Sequence, residues 1–253
     1  MPATDALPEI RCEVGMLVIA DLHLDVASDE ARETSFERWL GSLSDVPRLV
    51  ILGDLFDSWI GPAQAELASA RRVIGALREF TRRGTRVDVL RGNRDFLLEA
   101  KFEELTGATV HAGGLIATSD TSRVLFIHGD ELCTLDHGYQ RLRRVLRSAP
   151  MGWAAPRVPR RVALAIARRL RRASVEAIAM KPAAEKAQQE SEVRRLASAS
   201  DCDVVVCGHA HVFRDNAPHD GPRWIVLDAF GGGHDVLHWT AGEGLRARAS
   251  GAR

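Results

Sequence analysis

Five short blocks of the 253-residue chain carry side chains that bind cations: Asp21-Leu22-His23, Gly53-Asp54, Gly92-Asn93-Arg94-Asp95, His128-Gly129-Asp130 and Gly208-His209-Ala210-His211. Carboxylate and imidazole together suit Mn, Fe, Zn or Co, and the lack of Cys in the blocks argues against a thiolate site. Alternation along an extended segment would put Asp21 and His23 on one side, and likewise His209 and His211. Glycine before Asp54, Asn93 and His209 lets the backbone turn sharply and approach a ligand closely. Taken singly, most blocks have a plain structural reading. Asp-x-His fits a solvated loop, Gly-Asp is common turn chemistry, and Gly-Asn-Arg-Asp fits an Asn turn. A single His after an apolar strand is commonly a hydrogen-bonded core residue. Two imidazoles at one strand end are harder to explain without a ligand. The signal is the joint pattern.

Each block follows an apolar run that reads as a buried strand: 16–20, 49–52, 86–90, 124–127 and 204–207, with a further run at 224–227. Helical spacing appears at 35–43, through Phe36, Leu40 and Leu43, and at 65–82, through Leu67, Ala70, Ile74, Leu77 and Phe80. Alternating helices and near-continuously apolar strands predict an α/β fold with covered sheet faces. In such a fold ligands bind beyond the carboxyl ends of strands, where all five blocks fall. The stretch 131–193 breaks the rhythm. It is helical in pattern, punctuated by Pro150, Pro156, Pro159 and Pro182. Within it, residues 137–173 hold eleven of the 34 basic residues and none of the 34 acidic ones. Overall neutrality thus hides a basic insert on an acidic body. The segment after Ala241 is small and polar and is expected to fray.

With 45% hydrophobic and 27% charged residues, the composition excludes a disordered chain, a collagen and a coiled coil. The scattered Cys12, Cys133, Cys202 and Cys207 form no Cys-x-x-Cys pair, which favours a reducing compartment. No apolar run reaches the roughly 18–20 residues that span a bilayer. The first thirteen residues lack a signal pattern, so a cytoplasmic location is expected.

The ordered set Asp-x-His, Gly-Asp, Gly-Asn-Arg-Asp, His and Gly-His-x-His resembles the calcineurin-like metallophosphoesterases, over about residues 16–239. The resemblance implies a four-layer α/β/β/α sandwich holding two divalent ions. The sandwich core would be 1–130 and 194–253, and 131–193 a helical, basic lid insert. Carried over by motif, Asp21, His23 and His211 would hold one ion, Asn93, His128 and His209 the other, and Asp54 would bridge them. Such a pair lowers the pKa of a shared water and clamps the oxygens of an in-line displacement, so hydrolysis of a phosphate ester or anhydride is expected without a Ser or Cys nucleophile.

Many members have His after the motif Asn, where this chain has Arg94. A guanidinium is no acid near neutral pH, but it can fork onto phosphate oxygens, which suits a diphosphate. Longer phrases, such as Ile51-Leu52-Gly53-Asp54-Leu55-Phe56 and Arg91-Gly92-Asn93-Arg94-Asp95-Phe96, resemble one subgroup of the family. Its reaction is the Mn-dependent hydrolysis of a UDP-linked, doubly acylated glucosamine to UMP and the sugar 1-phosphate. By that resemblance Asn93, Arg94 and His209 are catalytic, and Asn93, Arg94, Asp136, Ser174, Lys181 and His209 contact substrate. The lid's Trp153, Val158, Val162, Leu164, Ile166, Leu170, Val175 and Ile178 would shelter acyl chains. Its arginines would draw the protein to the anionic surface of the inner membrane. The alternative for the lid is a solvated helix pair packed on the acidic body. The chain departs from the subgroup at Ile178, Pro62-Ala63, Val212-Phe213 and Gly231-Gly232-Gly233-His234. Rival readings are a family phosphodiesterase or phosphatase for another substrate, and a nucleic-acid-binding module. The last is disfavoured because all seven ligand positions are intact and aromatics are sparse in the basic stretch. Asp25, Asp57, Asp95 and Asp130 are read as supporting or turn residues.

Overall fold

A computed structural model describes residues 7–24, 30–59, 61–154, 157–159, 162, 165, 169 and 181–251. The strands are β1 (Glu9–Arg11), β2 (Leu17–Ile19), β3 (Arg48–Ile51), β4 (Arg86–Leu90), β5 (Thr109–His111), β6 (Leu115–Thr118), β7 (Arg123–Phe126), β8 (Val204–Cys207), β9 (Arg214–Asn216), β10 (Arg223–Val226), β11 (Val236–Thr240) and β12 (Gly244–Arg248). Among the described residues they form two six-stranded sheets, ordered β1-β6-β7-β8-β10-β9 and β12-β11-β2-β3-β4-β5. Both sheets are mixed. β2 through β5 run parallel, with Ile19 opposite Ile51 and Ile51 opposite Val89. In the other sheet β7 and β8 run parallel, with Phe126 opposite Val206.

Alternation along the strands builds the layers. Leu17 and Ile19 of β2 point to a core shared with helices α1 (Glu30–Ser42), α2 (Ala68–Arg82) and α3 (Ala100–Thr106). Met16, Val18 and Ala20 point the other way, into a core between the sheets with Val204, Val206 and Ile225. Val205 and Cys207 of β8 face a third core, against Val193 and Ala197. Strands apolar on both faces are what such double coverage requires. The result is the expected four-layer α/β/β/α sandwich.

After β7 come α4 (His137–Leu146), α5 (Ala149–Ala154), α6 (Ala183–Lys186) and α7 (Glu190–Ser200). Helix α7 runs across the expected core–insert boundary and supplies Val193 and Ala197 to the outer layer. The segment after Ala241 is not frayed. Gly244 to Arg248 pairs along β11, and Leu245 is buried between the sheets. One apolar side chain and a full ladder of backbone bonds suffice to order that polar stretch.

Candidate metal centre

All five blocks leave the carboxyl ends of strands β2, β3, β4, β7 and β8, on one rim of the sandwich. The backbone there is not extended. Among the described residues, seven non-glycine residues have left-handed φ, and five of them are Asp21, His23, Asp54, His209 and His211. Each costs of order 1–3 kcal/mol and persists only where its surroundings hold it. The expectation that pleat alternation aims Asp21 with His23, and His209 with His211, therefore fails in its geometry. Left-handed turns bring these side chains together instead.

Two glycines make the approach possible. A Cβ on Gly92 would collide with the Asp54 carboxylate and backbone nitrogen, and one on Gly208 with the Asp21 carboxylate. Asp95 then ties two loops. It accepts hydrogen bonds from Gly92 N and Leu55 N, both at 2.8 Å, and from Phe56 N at 3.3 Å.

The donors meet in two groups. His23 Nε2 and His211 Nε2 are 3.0 Å apart, and Asp21 Oδ1 lies 3.5 Å from His211 Nε2. In the second group Asn93 Oδ1 is 2.9 Å from His128 Nε2 and 3.1 Å from His209 Nδ1, and the two ring nitrogens are 3.2 Å apart. Asp54 stands between: Oδ2 is 3.7 Å from His23 Nδ1 and Oδ1 is 3.7 Å from His128 Nε2. Donors that share an ion at about 2.1 Å lie about 3–3.5 Å from each other, which fits the contacts within each group. Asp54 lies a little farther out, and the His23 nitrogen it faces, Nδ1, is not the Nε2 that faces His211.

The donor set also fits a cation on hydrogen-bonding grounds. His128 Nδ1 donates to the Leu52 carbonyl at 2.9 Å, which in the neutral ring leaves Nε2 as a lone pair. Asp21 Oδ1 and His23 Nδ1 are buried with no hydrogen-bond partner. Burial, then His128, holds His209 down at about 4, and burial, then Arg94, holds His23 down at about 3, so both rings stay neutral. Burial, with Asp95 and Asp21, pushes Asp54 up to about 7. Burial alone would lower His128, but Asp54 and Asp21 carry it up to about 9. Burial would raise Asp21, yet the surrounding imidazoles, His211 first, bring it below the ordinary carboxylate value. Asp54 and Asp21 thus favour the protonated form of His128, and a divalent cation would relieve the same negative potential.

Arg94 sits at this centre. Its backbone N donates to Asp54 Oδ1 at 2.9 Å, and its guanidinium is held by Asp57 Oδ1 at 2.6 Å. Asp57 is the supporting carboxylate that Arg94 needs. Asp136 and Lys181 pair with each other at 2.6 Å, and Asp136 also caps α4 by accepting from Tyr139 N. Ser174 lies outside the described residues. So do Leu164, Ile166, Leu170, Val175 and Ile178 of the expected apolar lid, and Asp25. Sequence reasoning missed Gln188, whose amide donates to the Gly208 carbonyl at 2.9 Å and steadies the turn before His209. A glutamine in a polar helical stretch gives no sign of that contact.

A two-sheet sandwich whose strand ends gather carboxylates and imidazoles around a possible metal cluster defines the class of metal-dependent phosphoester hydrolases. The model of the calcineurin-like phosphoesterases matches residues 16–213, and the chain belongs to that family. It is 33% identical over 238 residues to the UDP-2,3-diacylglucosamine hydrolase of Ralstonia nicotianae, covering 90% of this chain and 88% of the relative. It is 36% identical over 196 residues to the UDP-2,3-diacylglucosamine hydrolase of Azotobacter vinelandii, covering 77% of this chain and 80% of the relative. Among solved structures it overlays on Yfce, a phosphoesterase from E. coli, with a TM-score of 0.47 at 17% identity, over 93% of each chain. Among the described residues no helix is long and apolar enough to cross a membrane.

Proposed function

We propose that this protein hydrolyses the diphosphate of UDP-2,3-diacylglucosamine to UMP and 2,3-diacylglucosamine 1-phosphate, a step of lipid A biosynthesis. The observation that carries the reading is the pair of donor groups joined by Asp54 and flanked by Arg94. They lie in a chain whose relatives are named for this substrate along most of their length. Asp21, His23 and His211 would hold one divalent ion, Asn93, His128 and His209 the other, and Asp54 would contact both, with Mn2+ as the metal. When bound, the ions supply an activated water and neutralise charge on the diphosphate oxygens.

The chain's own groups do the rest. Arg94, braced by Asp57, forks onto the diphosphate and orients it. Water oxygen joins the α-phosphorus, the bond from that phosphorus to the bridging oxygen breaks, and the sugar 1-phosphate leaves with the electron pair. A phosphate leaving group needs little protonation, so an arginine serves where a general acid would otherwise be needed. His209 stays neutral and keeps its lone pair for the centre. Asp136, Ser174 and Lys181 contact the acylated sugar. Asp136 and Lys181 already pair with each other, which supports their acting together at that surface.

Residues 1–130 and 194–253 act as the core, and 131–193 as the insert that covers the acyl chains and meets the inner membrane surface from the cytoplasm. Support comes from Leu135, Leu142, Val145, Trp153 and Val162, all large, apolar and exposed within that stretch. Its arginines divide, however. Arg143 and Arg147 turn inward to the buried Asp130 and are not available to headgroups.

The test compares UMP release from UDP-2,3-diacylglucosamine with phenol release from a generic aryl phosphodiester, both with added Mn2+. The reading requires the acylated nucleotide to be strongly preferred. Equal or faster cleavage of the aryl ester would favour a phosphodiesterase for another substrate.

A further inference from the structure

The turn that carries His209 and His211 is strained at both histidines, with φ of 69° and 55°. Such a turn keeps its shape only if it is held on both flanks. Its leading flank is held twice. His209 N donates to Asp21 Oδ2 at 2.7 Å, and Gln188 binds the Gly208 carbonyl. On the trailing flank Phe213 packs against the inter-sheet core and Arg214 opens the pairing of β9 with β10, and Asp228 Oδ1 accepts from Phe213 N at 2.8 Å. The other oxygen, Oδ2, accepts from His234 N at 2.9 Å. The Phe213 and His234 rings stack with centroids 4.1 Å apart and 16° between planes. Val212, between His211 and Phe213, is 68% exposed, so its own side chain adds no packing next to His211.

Asp228 is itself well founded. It follows β10, the neighbour of β8, and so stands on the rim of the metal centre. Its loop is bonded to the core where Phe230 N donates to the Ala20 carbonyl, next to Asp21. Phe230 packs edge-on against Phe36 and Trp39, and the buried Asp235 fixes Gly231 N at 2.6 Å. Two stretches where the sequence leaves the subgroup's pattern, Val212-Phe213 and Gly231 to His234, are therefore in contact and share one carboxylate.

We propose that Asp228 is a positioning residue for His211: with the Phe213–His234 stack it fixes the trailing flank of the ligand turn, and so sets the affinity of the ion held by Asp21, His23 and His211. This rests on the two-ion reading above. The test is calorimetric titration of the chelator-stripped, full-length protein with Mn2+. The wild type should take up two ions. Asp228→Ala should bind one of them as the wild type does and the other about 10–100-fold more weakly, the usual range for loss of a group that orients a ligand. Asp228→Asn keeps one acceptor oxygen for the two N–H groups and should lose several-fold at that same ion. It decides the matter if the alanine variant does not fold. Two wild-type constants in either folded variant would overturn the proposal, and so would equal weakening at both ions, which marks a merely structural role. A wild type that binds fewer than two ions would refute the two-ion reading itself, a result distinct from the other two.

Discussion

Asp54 is buried with its oxygens facing different imidazoles, one in each donor group. If it bridges two cations, as proposed above, removing it leaves them with no shared anion. Asp54→Ala should therefore lower turnover by at least about 1,000-fold, as loss of a main electrostatic group does, while circular dichroism stays that of the folded protein. A variant that keeps most of its activity would contradict the bridging role. Arg94→Ala should lower diphosphate cleavage by about 100-fold yet leave Mn2+ stoichiometry at two, measured by metal analysis of the desalted protein. Loss of both ions instead would make Arg94 structural. At Gly92 there is no room for a methyl group, so Gly92→Ala should cost about 1–3 kcal/mol in denaturant unfolding and disable the site. Residue types and order were enough to nominate the centre, because few roles other than cation binding need Asp, His and Asn at five strand ends. The left-handed turns that bring them together were not legible. Nothing in the letters of Asp21 or His211 announces φ, and strain of this kind is held by distant partners such as Asp228.

Between elements, the joint that matters is the one from β7 to α4. Asp130, fully buried, accepts from Tyr139 Oη, from Arg143 Nε at 2.7 Å and from Arg147 Nη2 at 3.3 Å. Arg147 also reaches the carbonyls of Arg91 and Gly92, which lead into Asn93. Burial would raise Asp130, but Arg147, His128 and Arg143 hold it far below the ordinary carboxylate range. A depressed acid stabilises the fold fully above its unfolded pKa, about 3.9, and progressively less as pH falls below that. Asp130→Asn should thus cost about 3 kcal/mol at neutral pH, toward the lower end for a broken buried pair because both arginines keep some contact with water. In urea unfolding the gap to the wild type should narrow below about pH 4. A gap that stays constant with pH would show that the carboxylate charge is not what holds the insert's first helix. Strands buried on both faces, such as β3 and β8, were readable as apolar runs. Edge elements were not. β9 is Arg-Asp-Asn with no buried residue, and β12 offers one buried leucine, so their pairing is decided by neighbouring strands and not by their own pattern.

At the scale of the molecule, two sheets and three helices on one face serve to hold a rim on which like-charged groups and strained turns coexist. Divalent ions bound at the two donor groups would complete that rim. Any ion that binds only the folded chain stabilises it by mass action, by about 2.7 kcal/mol per site at a free concentration of 100 times Kd. Mn2+ should accordingly raise the melting temperature of chelator-stripped protein by several degrees, and Asp54→Ala should lose most of that rise. Identical melting with and without the ion would mean that the rim binds no metal. The basic insert was legible as a compositional break. Its division into arginines that dock on Asp130 and others left outside was not, because only the folded chain places Asp130 beneath α4.

The central claim is that water attacks the α-phosphorus of UDP-2,3-diacylglucosamine at this rim. It is tested most directly by running the Mn2+-supported reaction in 18O-labelled water and locating the label by mass spectrometry. The account predicts one 18O in UMP and none in 2,3-diacylglucosamine 1-phosphate. Label in the sugar phosphate, or no release of UMP, would contradict it.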